Sequence, residues 1–291
     1  MRFAPFRFYL LCIFISLLSS PAFPDESRPS LIGTDPSDTD RFRGWELMVL
    51  PERDIVFRPY DVMRLAGIKE GDIVGDIGCG GGYFTFKLAR RVGSSGWVLA
   101  VDSSIPQDLE EYLAGMVNDR KENVFQNVTV IRSRKDDVML PAKTLDVAFL
   151  CNVALLLRKT DAGTAEGGKN SADPEDNVKM VKSVFRAIKP GGRLILIEYL
   201  ADEGEDVSSD KVKGGLVATD PEAVKANYGR IGFEFREGFE IFTGEEYLKN
   251  VKYFMELPQY ALYGPIQKYF YPKRMIFYIF EKPSSGKAKV E

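Results

Sequence analysis

A short stretch of the chain, Ile73 to Gly82, places an acid directly before a dense run of glycines (Ile-Val-Gly-Asp-Ile-Gly-Cys-Gly-Gly-Gly). The acid is Asp76, and the next segment, Tyr83–Val92, has the apolar spacing of a helix. Glycines let backbone N–H groups approach a ligand closely and adopt positive φ. The start of a helix stabilises an anionic group. A strand, a glycine turn and a helix start together predict a cradle for a small ligand.

Further polar side chains stand at the ends of the next predicted strands. Asp102 ends the second apolar run, twenty residues after Gly82. That spacing suits a carboxylate that binds two ribose hydroxyls, although a strand-end turn also explains an aspartate there. Asp136 and Asp137 follow the third strand, and Asn152 follows the fourth. Because ligands of open α/β sheets bind at the carboxyl ends of parallel strands, we expect these side chains to lie together.

Strands and helices alternate along the chain from about Pro51, which predicts an α/β fold with a parallel sheet covered on both faces. The predicted strands are Asp72–Ile77, Trp97–Val101, Val128–Ile131, Leu145–Cys151, Leu194–Ile197, Phe233–Phe242 and Met275–Phe280. The predicted helices are Asp54–Ala66, Tyr83–Val92, Pro106–Lys121 and one that Asp173 caps and Pro174 begins. The run Lys189-Pro190-Gly191-Gly192 ends that last helix and leads into the fifth strand.

Three of these helices have a periodic apolar face. In Tyr83–Val92, Phe84, Leu88 and Ala89 can share that face. The members predicted to be buried are Val56, Tyr60, Met63 and Leu65 in the first, and Val178, Val181, Phe185 and Ile188 in the last.

The glycine spacing separates two classes of nucleotide-binding protein. A nicotinamide enzyme requires Gly-x-Gly-x-x-Gly, but the sixth position counted from Gly78 is Tyr83. The spacing present, Gly-x-Gly-x-Gly after Asp-Ile, resembles that of the class I S-adenosylmethionine-dependent methyltransferases. The acid after strand two and the Lys-Pro-Gly-Gly run before strand five extend this resemblance over about Pro51 to Tyr199. The resemblance implies a Rossmann-like, doubly wound, mostly parallel seven-stranded sheet with an antiparallel last strand.

The resemblance implies S-adenosylmethionine as the cofactor and gives each polar residue at the strand ends a role. It places Asp76 on the methionine amino group. The backbone that passes close to the methionine moiety belongs to Gly78, Cys79, Gly80 and Gly82. The ribose and adenine side is implied to consist of Asp102, Ser103, Asp136 and Asp137. The simpler explanation for Asp76 is a cap on the turn and helix start.

The acceptor side is where the chain departs from the family pattern. Many members have an aromatic-histidine pair soon after the fourth strand, and Ala154-Leu155-Leu156 stands here instead. The resemblance places Asn152 beside the sulfonium and the acceptor, although Asn is also common in turns after strands. Glu198, Tyr199 and Asp202, at or just past the end of strand five, are candidate bases. An activated methyl group mainly requires alignment of the acceptor, so a base is needed only for a protonated, weakly acidic acceptor.

A methyltransferase acting on a small molecule is the leading hypothesis, and two others use the same cradle. A protein that binds S-adenosylmethionine without turnover would explain the departure after strand four and the polar stretch at 159–172. An aminopropyl transferase shares the fold, but the chain has no clear marker for one.

Composition narrows the chemistry further. The chain has 291 residues, 45% of them hydrophobic and 28% charged, as in ordinary soluble proteins. Its net charge of −3 disfavours nucleic-acid binding. It contains no histidine, which excludes Ser-His-Asp and Cys-His catalysis and imidazole zinc sites, and we expect no metal. Cys79 and Cys151 are predicted to be small buried thiols rather than a disulfide.

The first 22 residues have the layout of a secretory signal peptide. Arg2 and Arg7 precede the apolar stretch Phe8–Leu18, and Ser20-x-Ala22 resembles a cleavage site. An apolar stretch of this length is too short to span a membrane comfortably, which favours the signal peptide. The alternative is an uncleaved anchor that keeps the domain near a membrane. We expect an exported or periplasmic domain, which conflicts with a cytosolic supply of S-adenosylmethionine. An unknown donor supply, an unusual orientation or a poorly functioning leader would each resolve the conflict.

The remaining chain is predicted to hold one methyltransferase domain over 51–282. A flexible lead-in at 23–50 precedes it, and a disordered tail at 283–291 follows. Two insertions interrupt it, the polar stretch 159–172 and the aromatic-rich stretch 243–273. For the second, a helical flap packed on the core is favoured, with a wall of the substrate pocket or a membrane-contacting surface as alternatives. Nothing in the sequence indicates the oligomeric state.

Overall fold

The computed structural model describes residues 53–103, 126–153, 174–200, 221–256 and 274–284, with the backbone alone at 174–177, 199 and 255. All of these belong to one unit, Gly44–Glu291. Several predictions lie outside the described residues. They concern the signal peptide, the lead-in, the helix Pro106–Lys121, the insertion 159–172, the cap at Asp173, Asp202 and most of the tail.

Helices and strands alternate through the described ranges, as the sequence pattern predicts. In chain order they are α1 (Asp54–Phe57), α2 (Pro59–Leu65), β1 (Ile73–Ile77), α3 (Tyr83–Val92), β2 (Trp97–Asp102), β3 (Val128–Arg132), β4 (Leu145–Cys151), α4 (Pro174–Ala187), β5 (Ile188–Tyr199), α5 (Pro221–Ile231), β6 (Glu234–Phe239), α6 (Gly244–Met255) and β7 (Met275–Glu281).

The seven described strands form one sheet in the order β3-β2-β1-β4-β5-β7-β6. The pairs from β3 through β5 are parallel. The last described strand, β7, is antiparallel to both of its neighbours, β5 and β6. This confirms the doubly wound, mostly parallel sheet with an antiparallel last strand. The strand order reverses between β1 and β4, and such a switch point opens a crevice beyond the carboxyl ends of the strands.

Side chains that alternate along β4 divide the core into two layers. Val147 and Phe149 lie on one face with Phe57 of α1 and Leu88 of α3. Ala148 and Leu150 lie on the other face with buried side chains of α4 and α5, among them Val181 and Tyr228. Helices therefore cover both faces of the sheet, as predicted.

The N-terminal helix prediction was wrong in one respect, because Asp54–Ala66 is not continuous. Arg58 has φ 44°, in the left-handed region, and separates α1 from α2. Proline disfavours helical backbone in the residue before it, and Pro59 is the first residue of α2. The break turns Tyr60 outward, so its side chain is 64% exposed rather than buried.

The boundaries of β5 and β6 also differ from the prediction. β5 begins at Ile188 rather than after the Lys-Pro-Gly-Gly run. Leu145 pairs with Ile188 and Val147 pairs with Arg193, so the register shifts between them. The run is therefore a bulge within the strand and not a turn before it. β6 ends at Phe239, and a turn closed by the Thr243 hydroxyl on the Glu240 carbonyl follows.

The apolar stripe of α4 is also shifted from the prediction. Val178 is 39% exposed. Besides the predicted Val181, the buried positions on this helix include Met180, Val184 and Ala187.

The aromatic stretch 243–273 is described only as far as 256. Within α6, Tyr247 and Phe254 are buried in the core, whereas Tyr253 is 56% exposed. The described part of the stretch therefore packs one face on the domain. None of the helices in the described ranges is long and apolar enough to cross a membrane.

Candidate functional site

The glycine turn after β1 is held against the end of β2. The N–H groups of Gly78 and Cys79 both donate to the Val101 carbonyl, at 2.7 and 3.2 Å. Gly78, Gly80 and Gly82 have φ of 74°, 50° and 83°, which side chains with a Cβ rarely adopt. A Cβ on Gly78 would also lie 2.9 Å from the Val153 side chain. Glycine is therefore required here by backbone conformation and by space.

Asp76 is a buried carboxylate directly beneath this turn, with 3% of its surface exposed. Its Oδ2 accepts a hydrogen bond of 2.5 Å from the Thr85 hydroxyl. Burial raises the pKa of Asp76 to about 7; the Asp102 charge adds to the rise, and the Thr85 hydrogen bond opposes it. A cationic ligand beside this buried carboxylate would stabilise its ionised form.

Thr85 was missed in the sequence analysis, although the sequence contains a signal for it. On α3 it lies on the same stripe as Leu88, Ala89 and Val92, all of which are buried. A hydroxyl in an otherwise apolar stripe needs a hydrogen-bond partner in the core. Asp76 is that partner.

Asp102 ends β2 and holds the glycine turn from the other side. Its Oδ2 accepts a hydrogen bond of 3.0 Å from the Gly80 N–H. Asp102 is half-buried and Ser103 is exposed, so both reach the edge where a ligand would lie. Their roles toward ribose and adenine stay predictions.

Asn152 begins the turn after β4, beside the glycine turn of β1. Its φ of 57° is left-handed, a conformation that Asn adopts more readily than most residues. Its N–H donates to the Ile197 carbonyl at 2.8 Å. Its Oδ1 is buried and has no hydrogen-bond partner among the described residues, so a donor from a ligand would satisfy it.

Glu198 is bonded to this turn and is 3% exposed. Its Oε1 accepts a hydrogen bond of 2.7 Å from the Val153 N–H. Its proposed role as a base stays a prediction. Tyr199 is described by its backbone alone, as the last residue of β5.

Asp136 and Asp137 are the part of the predicted site that no described hydrogen bond joins to the glycine turn. The Asp137 carboxylate forms an ion pair of 2.9 Å with Arg186 of α4 and accepts the Met139 N–H at 2.7 Å. Arg186 is the main reason why the pKa of Asp137 is lowered. Asp136 is half-buried. Asp137 therefore has a structural partner, whereas Asp136 shows none within the described ranges.

A second polar cluster beside the turn was also missed in the sequence analysis. The Tyr83 hydroxyl donates to Asp54 of α1 at 2.6 Å. Lys87 pairs with the same carboxylate at 3.1 Å, and its Nζ lies 3.9 Å from the centre of the Tyr83 ring. The Arg53 guanidinium lies 4.5 Å from the same ring. α1 is thereby fixed to the helix that follows the glycine turn.

Cys79 and Cys151 are free thiols at the ends of β1 and β4. Cys79 is buried, as predicted, whereas Cys151 is half-buried. Burial is the main cause that raises the pKa of each thiol well above its usual range. Neither is an activated nucleophile. No group of three or more His, Cys, Asp or Glu that could hold a metal occurs within the described ranges.

These residues fit S-adenosylmethionine. Three positive-φ glycines let the backbone lie close to a ligand. The buried Asp76 carboxylate suits its amino group, and the buried Asn152 Oδ1 lacks a donor among the described residues. Asp102 ends β2 and accepts a hydrogen bond from the Gly80 N–H of the same turn.

Comparison with known proteins supports this assignment. A family model described as a methyltransferase domain matches residues 68–247, more than half of the chain. The chain is 28% identical over 134 residues to a ubiquinone/menaquinone biosynthesis C-methyltransferase of Pasteurella multocida, covering 46% of this chain and 42% of that protein. It is 29% identical over 149 residues to a demethylmenaquinone methyltransferase of Lactococcus lactis, covering 50% of each. The match thus spans about half the length of these curated relatives.

Solved structures show the same fold at low sequence identity. An S-adenosylmethionine-dependent methyltransferase from Aquifex aeolicus superposes with a TM-score of 0.53 at 20% identity, covering 86% of this chain and all of that one. A geranyl diphosphate C-methyltransferase from Streptomyces coelicolor, solved with S-adenosyl-L-homocysteine, gives 0.56 at 12% identity, covering 79% and 81%. Sheet topology, glycine turn and family match agree: the chain belongs to the methyltransferase-domain family of class I S-adenosylmethionine-dependent methyltransferases.

Proposed function

We propose that this protein transfers a methyl group from S-adenosylmethionine to a small-molecule acceptor. The observation that carries the proposal is the buried Asp76 carboxylate beneath three positive-φ glycines, with Asp102 bonded to the same turn. The curated relatives are named as methyltransferases of quinone biosynthesis, which supports methyl transfer here. The net charge of −3 supports a small molecule over a nucleic acid as the acceptor.

Each residue would bind a different part of the cofactor, according to its position along the carboxyl ends of the strands. Asp76 would bind the amino group of the cofactor, and Asp102 its ribose hydroxyls. Asp136 would accept from the adenine amine, because Asp137 already pairs with Arg186. Asn152, at the end of β4, would face the reacting end. When bound, S-adenosylmethionine supplies a methyl group that is already activated by the sulfonium.

What the protein contributes to the reaction is alignment of the acceptor. Holding two reactants in line can contribute roughly 7–11 kcal/mol in ideal cases. The chain contains no histidine, and the pKa of the two thiols at the strand ends is raised by burial. Both facts favour an acceptor whose nucleophile needs little help from a base.

The direct test has two stages. Calorimetric titration of S-adenosylmethionine into the purified protein should give a one-site isotherm. Donor labelled on the methyl group, incubated with the protein and a small-molecule extract, should then give a labelled product. No binding at millimolar ligand contradicts the proposal. Binding without any labelled product would favour a protein that holds the cofactor but does not turn it over.

A further inference from the structure

The turn after β4 is held by β5 through two consecutive backbone N–H groups. Asn152 donates to the Ile197 carbonyl at 2.8 Å, as a parallel ladder requires. Val153 donates to the Glu198 carboxylate at 2.7 Å. The second bond is additional to the ladder: a side chain of β5 accepts the N–H of the residue after Asn152. The backbone stays bonded to β5 even though Asn152 has turned to a left-handed φ of 57°.

The Val153 side chain transmits this constraint to β1. Its methyl carbons lie 2.9 and 3.0 Å from where a Cβ on Gly78 would be. This is close contact between the turn after β4 and the glycine turn after β1. The two turns flank the switch point of the sheet, where the ligand crevice lies. Moving Val153 would therefore disturb Asn152 on one side and Gly78 on the other.

Glu198 is buried, and its Oε1 is the acceptor for the Val153 N–H. The residue is 3% exposed, and a charged carboxylate that leaves water needs strong hydrogen bonds in return. The groups it influences electrostatically include the Tyr228 hydroxyl and the Cys151 thiol, whose pKa values are raised mainly by burial and further by the Glu198 charge. Both groups belong to the domain itself.

From this geometry we infer that Glu198 is a positioning residue for methyl transfer, holding the Asn152–Val153 turn against the glycine turn, and is not the base that removes a proton from the acceptor. The expected effect on methyl transfer rests on the proposed function. The hydrogen bond from the Val153 N–H to Glu198, called the clamp below, is a property of the fold. A glutamine in its place retains a carbonyl oxygen for the Val153 N–H but cannot act as a base.

Two substitutions separate the roles. Glu198→Gln should leave amide exchange at Val153 and the Kd for S-adenosylmethionine within about threefold of wild type, because one neutral hydrogen bond replaces one charged bond. Glu198→Ala leaves a buried N–H without its acceptor, so exchange at Val153 should be at least about tenfold faster. The Kd should rise by roughly tenfold as Gly78 and Asn152 lose their support. Glu281→Ala, on β7 opposite Arg193 at the other end of β5, is the control; its carboxylate binds Arg236.

The readouts are amide exchange by NMR, Kd by calorimetry, and labelled methyl transfer to an extract measured across pH. Positioning predicts that Glu198→Gln retains transfer and the pH profile, whereas Glu198→Ala loses transfer. Loss of transfer in Glu198→Gln at unchanged Kd would establish a base and overturn the inference. Unchanged Val153 exchange in Glu198→Ala would also overturn it. If wild type fails to bind S-adenosylmethionine, the proposed function fails, and Val153 exchange alone then decides whether the clamp exists.

Discussion

The Asp102 carboxylate accepts a hydrogen bond of 3.0 Å from the Gly80 N–H, across the edge between β1 and β2. The acid that the sequence pattern assigns to a ribose therefore also shapes the glycine turn. A carboxylate has two oxygens and about four acceptor sites, so one bond to the turn leaves capacity for ribose hydroxyls. With the proposed ribose role, loop shape and ligand binding would be coupled through this one side chain.

The close contact at Gly78 predicts a large cost for a methyl group there. Gly78→Ala introduces left-handed strain of about 1–2 kcal/mol and overpacks Val153, at a further cost of about 1–3 kcal/mol. Gly244 is the matched control, because its φ is 81° and its Cβ would meet nothing within 4 Å. Gly244→Ala should therefore cost only the strain. Urea denaturation of both variants measures the difference, and equal losses would contradict the contact.

The raised pKa of Asp76 predicts a pH-dependent stability. Between about pH 4 and pH 7 the folded chain retains a proton that the unfolded chain has released, since the pKa rises from 3.8 to about 7 on folding. The contribution of Asp76 to the free energy of unfolding therefore falls as pH rises through this window. Asp76→Asn removes that contribution. Relative to wild type, the variant should be more stable at pH 8 than at pH 5, and an identical difference at both pH values would contradict the assignment.

The same group should make cofactor binding depend on pH. The ionised form of Asp76 is the one that binds an amino cation, so lowering the pH from 8 to 6 should weaken S-adenosylmethionine binding by up to about tenfold. Thr85→Val removes the hydrogen bond that lowers the pKa of Asp76, so the loss of affinity should begin at a higher pH. Thr85→Ser retains the hydroxyl and is the control. Calorimetry at several pH values would show coincident curves for all three proteins if Thr85 has no such role.

The adenine side offers a test between two adjacent acids. Asp137 pairs with Arg186, and both side chains are partly exposed, so Asp137→Asn should cost about 0.2–1 kcal/mol of stability at pH 7 and leave the Kd unchanged. The lowered pKa of Asp137 means that this stabilisation is lost as the pH falls below about 4. Asp136→Asn should do the reverse and weaken cofactor binding with little effect on stability. The opposite pattern would exchange the two roles.

The local parts of the fold follow from the sequence because their signals are local. The apolar runs predict β1 to β4 and β7 to within one residue. The spacing of Phe84, Leu88 and Ala89 predicts α3 at its observed bounds and buried face. Where individual residues override the pattern, as Arg58 and Pro59 do in the first helix, periodicity alone cannot reveal the break.

The long-range parts of the site could not be predicted in this way. The clamp from Glu198 to Val153 joins residues 45 apart in the chain, and the bond from Tyr83 to Asp54 joins residues 29 apart. Each depends on strands and helices that become neighbours only through the sheet order. The strand-end acids could be identified because their position relative to a strand is itself local, whereas their hydrogen-bond partners could not.

We propose that Asp102 binds the ribose of S-adenosylmethionine, and calorimetric titration of wild type and Asp102→Ala measures that role. Each charge-assisted hydrogen bond contributes about 1.5–3 kcal/mol, so losing two should weaken binding by about 100-fold or more. Asp146→Ala is the matched control, since Asp146 also accepts a backbone N–H, that of Ile73, at the other end of the strands. A ribose contact at Asp102 predicts a large rise in Kd for Asp102→Ala alone. Equal Kd values for wild type and Asp102→Ala would contradict it.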